Sequence, residues 1–190
     1  MTRLEQREKR RQEILIAALD IFIHKGYAAA KTQDIANAVG MSEGLLFHYF
    51  ETKEKLYEEL VKTAMEGRQM ALTGIKCDGL EYFKIAAKYI FYYLKNDPIV
   101  SKMFVLAGQA QKNDNVPESV KKIMANIDYK NTIKKIKQGQ KKGEIKKGDP
   151  AALSLAFSGA IQGIAEQIAL SPGIPIPDSE WIVDIIRNNE

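Results

Sequence analysis

His24, His48 and Cys77 are the whole stock of imidazole and thiol in the chain, which leaves little for bond-making chemistry. No group of His, Cys, Asp and Glu has metal-ligand spacing, and no Cys-His or Ser-His-Asp arrangement has a recognisable context. The nearest approach to a phosphate loop, Gly143-Glu144-Ile145-Lys146-Lys147-Gly148-Asp149, lacks the Lys-Ser/Thr ending and any preceding strand. We therefore expect no enzyme, no metal and no cofactor. A different chemistry is offered by residues 32–50, TQDIANAVGMSEGLLFHYF. Gly40 separates two short helical stretches, Ala36 stands where the first must approach the second closely, and Ile35, Val39 and Leu46 are placed to face a common core. This is the helix-turn-helix pattern, whose second helix enters the major groove of DNA N-terminus first. A generic helical turn would carry the same glycine, so the surrounding elements decide between the two.

Ile14, Leu15, Ala18, Leu19 and Phe22 recur at the spacing of one helical stripe, and Gly26 offers a left-handed cap, so a first helix is expected over about residues 4–25. Thr32 reads as the N-cap of a short helix through Val39, and Ser42 as that of a second ending near Tyr49. Thr52 caps a long helix from Lys53 to about Met70, with Glu54, Glu58 and Glu59 early, where the macrodipole favours them. After a break at 73–79, Leu80, Phe83, Ala87, Ile90, Phe91 and Leu94 mark a helix that stops at Asn96-Asp97-Pro98, and another covers about 99–111. A long Lys-rich helix then runs from the loop at 113–117 to about Lys142, with Ile123, Ile127, Ile133 and Ile136 inward. Asp149 caps a helix through Leu170, and Asp178 starts a short final one around Trp181, Ile182, Ile185 and Ile186. No strand-like alternation appears. The expected fold is all-α, with about nine helices. A three-helix DNA-binding head over residues 1–52 would precede a larger ligand-binding and dimerisation body over 53–190.

With 45% hydrophobic and 27% charged residues, the chain has the composition of a folded protein and not of a disordered one. The net charge of +4 permits a polyanionic partner without requiring one. Arg3, Arg7, Lys9, Arg10 and Arg11 form a basic start, but the densest run spans 121–147, which reads as a solvated helix face with a second polyanion site as the alternative. Acidic Glu5, Glu8 and Glu13, and Asp20 within the apolar run, argue against a secretion signal. The single cysteine excludes an intramolecular disulfide. No stretch reaches the roughly 18 uncharged apolar residues that span a bilayer, so no membrane partner and a cytoplasmic location are expected.

Over residues 10–60 the pattern continues: Gly26-Tyr27, then Thr32-Gln33-x-Ile35-Ala36-x-x-Val39-Gly40, then Ser42-x-Gly44-x-Leu46-x-x-x-Phe50, then Lys53-x-x-Leu56. This resembles the TetR (tetracycline-repressor-like) family of bacterial transcriptional regulators. The resemblance implies a DNA-binding regulator, most commonly a repressor, that binds a palindromic operator as a homodimer. It implies that Thr32 meets a phosphate and that Gln33 reaches a base edge, with N-capping as the plainer role of Thr32. It places Ser42, Glu43, Gly44, Leu45 and His48 at groove-facing positions. Glu43 would accept from cytosine N4 or, turned away, favour the start of its helix; Leu45 would pack on a thymine methyl. Tyr49 and Lys53 match phosphate-holding positions. The chain departs from the pattern at Phe47, usually a Tyr, which leaves the missing phosphate contact to His48 or Tyr49. A buried His48 is the alternative.

Ala152, Ala156, Gly159, Ala160 and Gly163 put small residues at helical spacing, with Trp181 following. Interior glycines cost about 1 kcal/mol each relative to alanine, which close helix approach offsets. A four-helix dimer interface, as in the family, or close packing inside one chain would both explain them. For a ligand site, Phe83, Tyr89, Phe91, Tyr92, Tyr93, Met103 and Phe104 supply aromatic and adaptable surface, and Gln109, Gln162 and Glu166 polar anchors. Ordinary core packing is the alternative. By resemblance the body holds a small apolar or amphipathic inducer whose binding changes the spacing of two heads. A DNA-binding protein without an inducer and a helical small-molecule-binding or partner protein remain as rivals.

Overall fold

The computed structural model describes residues 2–125, 129–171 and 173–189, with the side chains of Arg68, Met70, Ala71 and Thr73 also left aside. The fold is all-α. The described residues form ten helices: α1 (Arg3–Ala29), α2 (Thr32–Ala38), α3 (Glu43–Phe47), α4 (Lys53–Thr73), α5 (Leu80–Asn96), α6 (Pro98–Lys112), α7 (Glu118–Ala125), α8 (Lys130–Lys141), α9 (Pro150–Leu170) and α10 (Ser179–Asp184). Four of the expected caps are present. Ser42 Oγ accepts from Leu45 N–H at 3.2 Å, Thr52 Oγ1 from Lys55 N–H at 3.2 Å, Asp149 from Ala152 N–H at 2.8 Å and Asp178 from Glu180 N–H at 2.9 Å. The first helix starts earlier than its apolar stripe, because Thr2 and Glu5 close a reciprocal capping box. At Gly26 the backbone takes φ 73° and ψ 161°. The positive φ is the expected one, but the extended ψ belongs to a region open in practice to glycine alone and kinks α1 instead of ending it.

Three expectations are corrected. Thr32 does not cap α2; Lys31 occupies that position without a side-chain bond, and the Thr32 hydroxyl is taken by Glu43. The single Lys-rich helix is two, α7 and α8, and its Ile127 lies outside the described residues. Ile127 and Ile133 are six positions apart, and the intervening positions that an inward stripe needs hold Lys130 and Asn131. By length and composition α9 is long and apolar enough to cross a membrane, because Glu166 alone interrupts it after the uncharged run from Pro150 to Ala165. Strand pairing among the described residues is confined to an antiparallel bridge of Ile145 with Arg187.

The packing divides into two compact units, residues 1–65 with 105–126, and residues 66–104 with 127–190. Helices α4 and α6 each contribute to both. In the first unit Ile14, Ala18, Leu19 and Phe22 of α1 are buried together with Ile35, Ala36 and Leu46 of the helix-turn-helix and Leu56, Tyr57, Leu60 and Val61 of α4. Phe22 meets Tyr57 edge to face, with ring centroids 4.9 Å apart, and burial pushes the Tyr57 hydroxyl up to about 12. The second unit has its core among Phe83, Phe91, Ile136, Phe157, Ile161, Ile182 and Val183, from α5, α8, α9 and α10. Each such side chain contributes about 1.5–3 kcal/mol when fully buried. Helix α8 and the start of α5 cross so closely that a Cβ on Gly139 would stand 2.5 Å from Ile145 Cδ1 and 3.2 Å from Gly79 Cα. Lys134, Lys137 and Lys141 are exposed, but Lys135 turns inward, donating to Cys77 O at 2.9 Å and to the Asp78 carboxylate.

Candidate nucleic-acid interface

The turn between α2 and α3 is closed by Met41 N–H donating to Ala36 O at 3.0 Å, with Gly40 at φ 63°. Ile35, Ala36 and Leu46 face inward, as their spacing requires. The opposite side of α3 is open. Gly44 is exposed and a Cβ there would meet nothing within 4 Å, so no contact inside the chain requires a glycine. Leu45 and Phe47 are 45% and 42% exposed on the five-residue α3. His48 is also exposed, which removes the buried alternative for it. Ser42 and Gln33 are exposed, and Gln33 Nε2 donates to Asn37 Oδ1 at 2.9 Å along α2. Tyr49 is half-buried.

Thr32 and Glu43 are bonded to each other, the hydroxyl donating to the carboxylate, which ties the first residue of α2 to the first residue of α3. Neither side chain is therefore idle in the free chain. Lys53 is likewise engaged: its Nζ donates to Tyr27 O at 3.0 Å and Ala30 O at 3.1 Å and lies 4.5 Å from the Tyr27 ring centroid. An ammonium has three donors, so one remains for an outside acceptor. Thr32, Gln33, Glu43, Phe47 and Lys53 line one open groove of about 580 Å³. Ser42, Gly44, Leu45, His48 and Tyr49 are not among its lining residues.

Several residues of this face carry no local signal. Lys31, exposed, heads α2 and lines the groove. Tyr27 donates its hydroxyl to Glu54 at 3.0 Å. The Glu54 amide, followed by the Thr52 and Tyr27 hydroxyls, holds the Glu54 carboxyl below its ordinary range, while burial and then Glu54 raise the Tyr27 hydroxyl. Arg10 Nη2 donates to Val39 O at 2.7 Å, bracing the turn from a residue 29 positions away. Apart from Glu54, whose early place on its helix was expected, spacing within 32–53 could not have disclosed these contacts.

The residues expected to bind a ligand are divided. Phe83 and Phe91 are core residues, and Phe83 packs edge to face on Phe157 at 5.0 Å. Tyr89, Tyr92 and Tyr93 are exposed, with Tyr89 and Tyr93 in contact at 4.7 Å. Met103 and Phe104 are half-buried. Gln162 Nε2 donates to Phe104 O at 2.9 Å and to Glu166 Oε1 at 2.8 Å. Gln109 belongs to the first unit, where its Nε2 donates to Ile23 O at 2.9 Å.

On α9, Ala152, Ala156, Gly159 and Gly163 are exposed and Ala160 half-buried. A Cβ on Gly159 or Gly163 would meet nothing within 4 Å, which removes close packing inside the chain as their explanation. Leu155 and Trp181 are 71% and 66% exposed.

Residues 14–60 match the family model described as bacterial regulatory proteins, tetR family. The chain is 30% identical over 95 residues to the HTH-type transcriptional activator FasR of Mycolicibacterium smegmatis, an alignment covering 48% of this chain and 43% of that one. It is 34% identical over 116 residues to the HTH-type transcriptional repressor KstR2 of the same organism, covering 60% and 56%. The chain thus spans about half the length of these relatives. The crystal structure of AibR in complex with isovaleryl coenzyme A and operator DNA superposes with a TM-score of 0.68 at 18% identity, covering 92% of this chain and 94% of that one. With residues 14–60 matching the tetR-family model and the fold shared with AibR over 92% of its length, the chain is similar to the TetR family of bacterial regulatory proteins.

Proposed function

We propose that the chain is a DNA-binding transcriptional regulator that acts in the cytoplasm as a homodimer on a palindromic operator, represses, and is released by a small apolar or amphipathic inducer. The observation that carries this reading is the open side of α3, where Gly44, Leu45, Phe47 and His48 are exposed and Gly44 has no role inside the chain. Gly44 permits close approach of backbone to base edges, Leu45 suits a thymine methyl, and His48 and Gln33 offer polar groups to bases. Ser42 faces the groove, while Thr32, Tyr49 and Lys53 hold phosphates, with Lys53 keeping one donor for that purpose. Glu43 accepts from cytosine N4 on release from Thr32. Residues 1–52, joined by Lys53 at the start of α4, carry this reading of DNA, and the rest of 53–190 carries dimerisation and the inducer.

Dimerisation is supported by the bare small-residue face of α9 and by the exposure of Leu155 on the same helix and of Trp181 on α10. Two copies in contact there bury an apolar surface that is otherwise exposed, and this occupant suits α9 better than a bilayer because Gln162 and Glu166 lie within its length. A ligand site in the second unit draws on Met103, Phe104, Gln162 and Glu166. The relatives include one named an activator and one named a repressor, so a reporter fusion decides the sign of regulation.

Fluorescence-anisotropy titration against the intergenic DNA beside the chain's own gene and against scrambled DNA of equal length, at two salt concentrations, tests the reading. Saturable binding at least about 10³-fold tighter to the native duplex is expected. Weak, equal and salt-sensitive binding to both would leave a basic surface and no regulator.

A further inference from the structure

We infer that the first three turns of α1 form a second, sequence-independent DNA contact, in which Arg3 and Arg7 hold operator phosphates beside those reached by α2 and α3. The inference rests on the DNA-binding reading above. Residues 2–9 are all exposed, and the first buried residue of α1 is Ile14. The helix therefore begins about 15 Å, at 1.5 Å per residue, before its packed part. So short a helix is marginal without packing. It is held by the Thr2–Glu5 capping box, a Gln12 to Glu8 hydrogen bond of 2.9 Å and an Arg10 to Glu13 ion pair of 2.7 Å.

Charge on this overhang is segregated by face. At 100° per residue Arg3, Arg7 and Arg10 fall within about 60° of arc, in line with Ile14, which points into the core of the first unit. Glu5, Glu8 and Gln12 lie on the far side, with Lys9 among them. The arrangement does nothing for folding. Arg3 stands in the first turn, where the helix dipole disfavours a cation, and the Arg3–Arg7 and Arg7–Arg10 spacings bring like charges together. The guanidinium groups of Arg3 and Arg7 have no hydrogen-bond or ion-pair partner among the described residues.

The basic face is continuous with the helix-turn-helix. Arg10 Nη2 grips the carbonyl of Val39, the residue that ends α2, three residues before Ser42 caps α3. The row Arg10, Arg7, Arg3 therefore starts at the turn and runs outward from it on the same side of α1 as the elements that read DNA. A major groove holding α3 is bordered by phosphates, and the planar guanidinium fork matches a phosphate in two hydrogen bonds without reading a base.

The test is the doubly substituted chain Arg3→Gln, Arg7→Gln, which keeps good helix formers at exposed positions. Its binding is measured against salt on the operator duplex and on an unrelated duplex of equal length. The log–log salt slope should shrink by about 1.8, at 0.9 per phosphate released, with the same fold-loss on both duplexes and no fall in the unfolding midpoint. Arg3→Lys, Arg7→Lys should restore the slope. An unchanged slope with operator preference intact, or a loss confined to the operator, overturns the inference and leaves the DNA-binding reading standing. A wild-type chain that prefers no duplex overturns that reading and the inference with it.

Discussion

Lys53 illustrates how one side chain of the head serves two purposes. Its ammonium joins the start of α4 to the segment 27–30 through two carbonyls, and its third donor is directed to DNA in the proposed function. Lys53→Ala should therefore weaken binding on every sequence, lower the salt slope by about one, and also destabilise the fold by about 1–3 kcal/mol for the charge-assisted bonds, read by urea titration. Gln33→Ala and His48→Ala should behave otherwise, relaxing preference at particular operator positions by about 1–3 kcal/mol each. Equal losses on all sequences for all three variants would sink these role assignments. Gly44→Ala separates folding from function most cleanly. The new Cβ meets nothing within 4 Å in the free chain, so helix propensity should raise stability by up to about 1 kcal/mol. Operator affinity should fall, because the base edges must then accommodate a methyl group. A Gly44→Ala chain with undiminished affinity would remove the major-groove role of α3.

At the scale of elements, α9 makes the corresponding prediction for assembly. Gly163→Leu should leave the monomer fold intact, since the site is open, and should shift sedimentation from dimer to monomer. A dimer that survives would place the interface elsewhere. The tie between α8 and the segment before α5 predicts an acid sensitivity. Lys135 holds the Asp78 carboxyl below its usual value of 3.8 by hydrogen bonding. A carboxylate depressed in the folded state stabilises above its unfolded pKa and loses that contribution as pH falls through the folded one. The melting midpoint should thus drop below about pH 4, and Asp78→Asn should flatten that part of the curve. What could be read in the chain itself follows the range of the forces. Ser42, Thr52, Asp149 and Asp178 act on amides two or three residues away, so their helices were legible. The separation of α7 from α8 was missed, because the isoleucines from Ile123 to Ile136 were read as one stripe. Thr32 to Glu43, Lys53 to Tyr27 and Gln109 to Ile23 join residues 11, 26 and 86 positions apart. No local pattern encodes such pairs, and Thr32 was read as a cap because its true acceptor lies on another helix.

At the scale of the molecule, the all-α class and the helix order could be read from periodicity and caps, and the turn between two short helices from the motif between Thr32 and Lys53. The division of packing could not. Helices α4 and α6 look continuous in sequence, yet each supplies residues to both compact units. The aromatic residues of α5 show the same limit: composition marks Phe83 and Tyr89 alike, and burial alone separates them. The central claim joins the two scales, a head that reads bases and a body that pairs two heads. Selection of binding sites from a random duplex library by the purified full chain tests both halves at once. The account predicts an enriched inverted repeat whose half-sites are centred about one helical turn, roughly 10 base pairs, or a multiple of it apart. Enrichment of a single unrepeated site would contradict the dimer, and no enrichment over the starting library would contradict the reading of DNA by this chain.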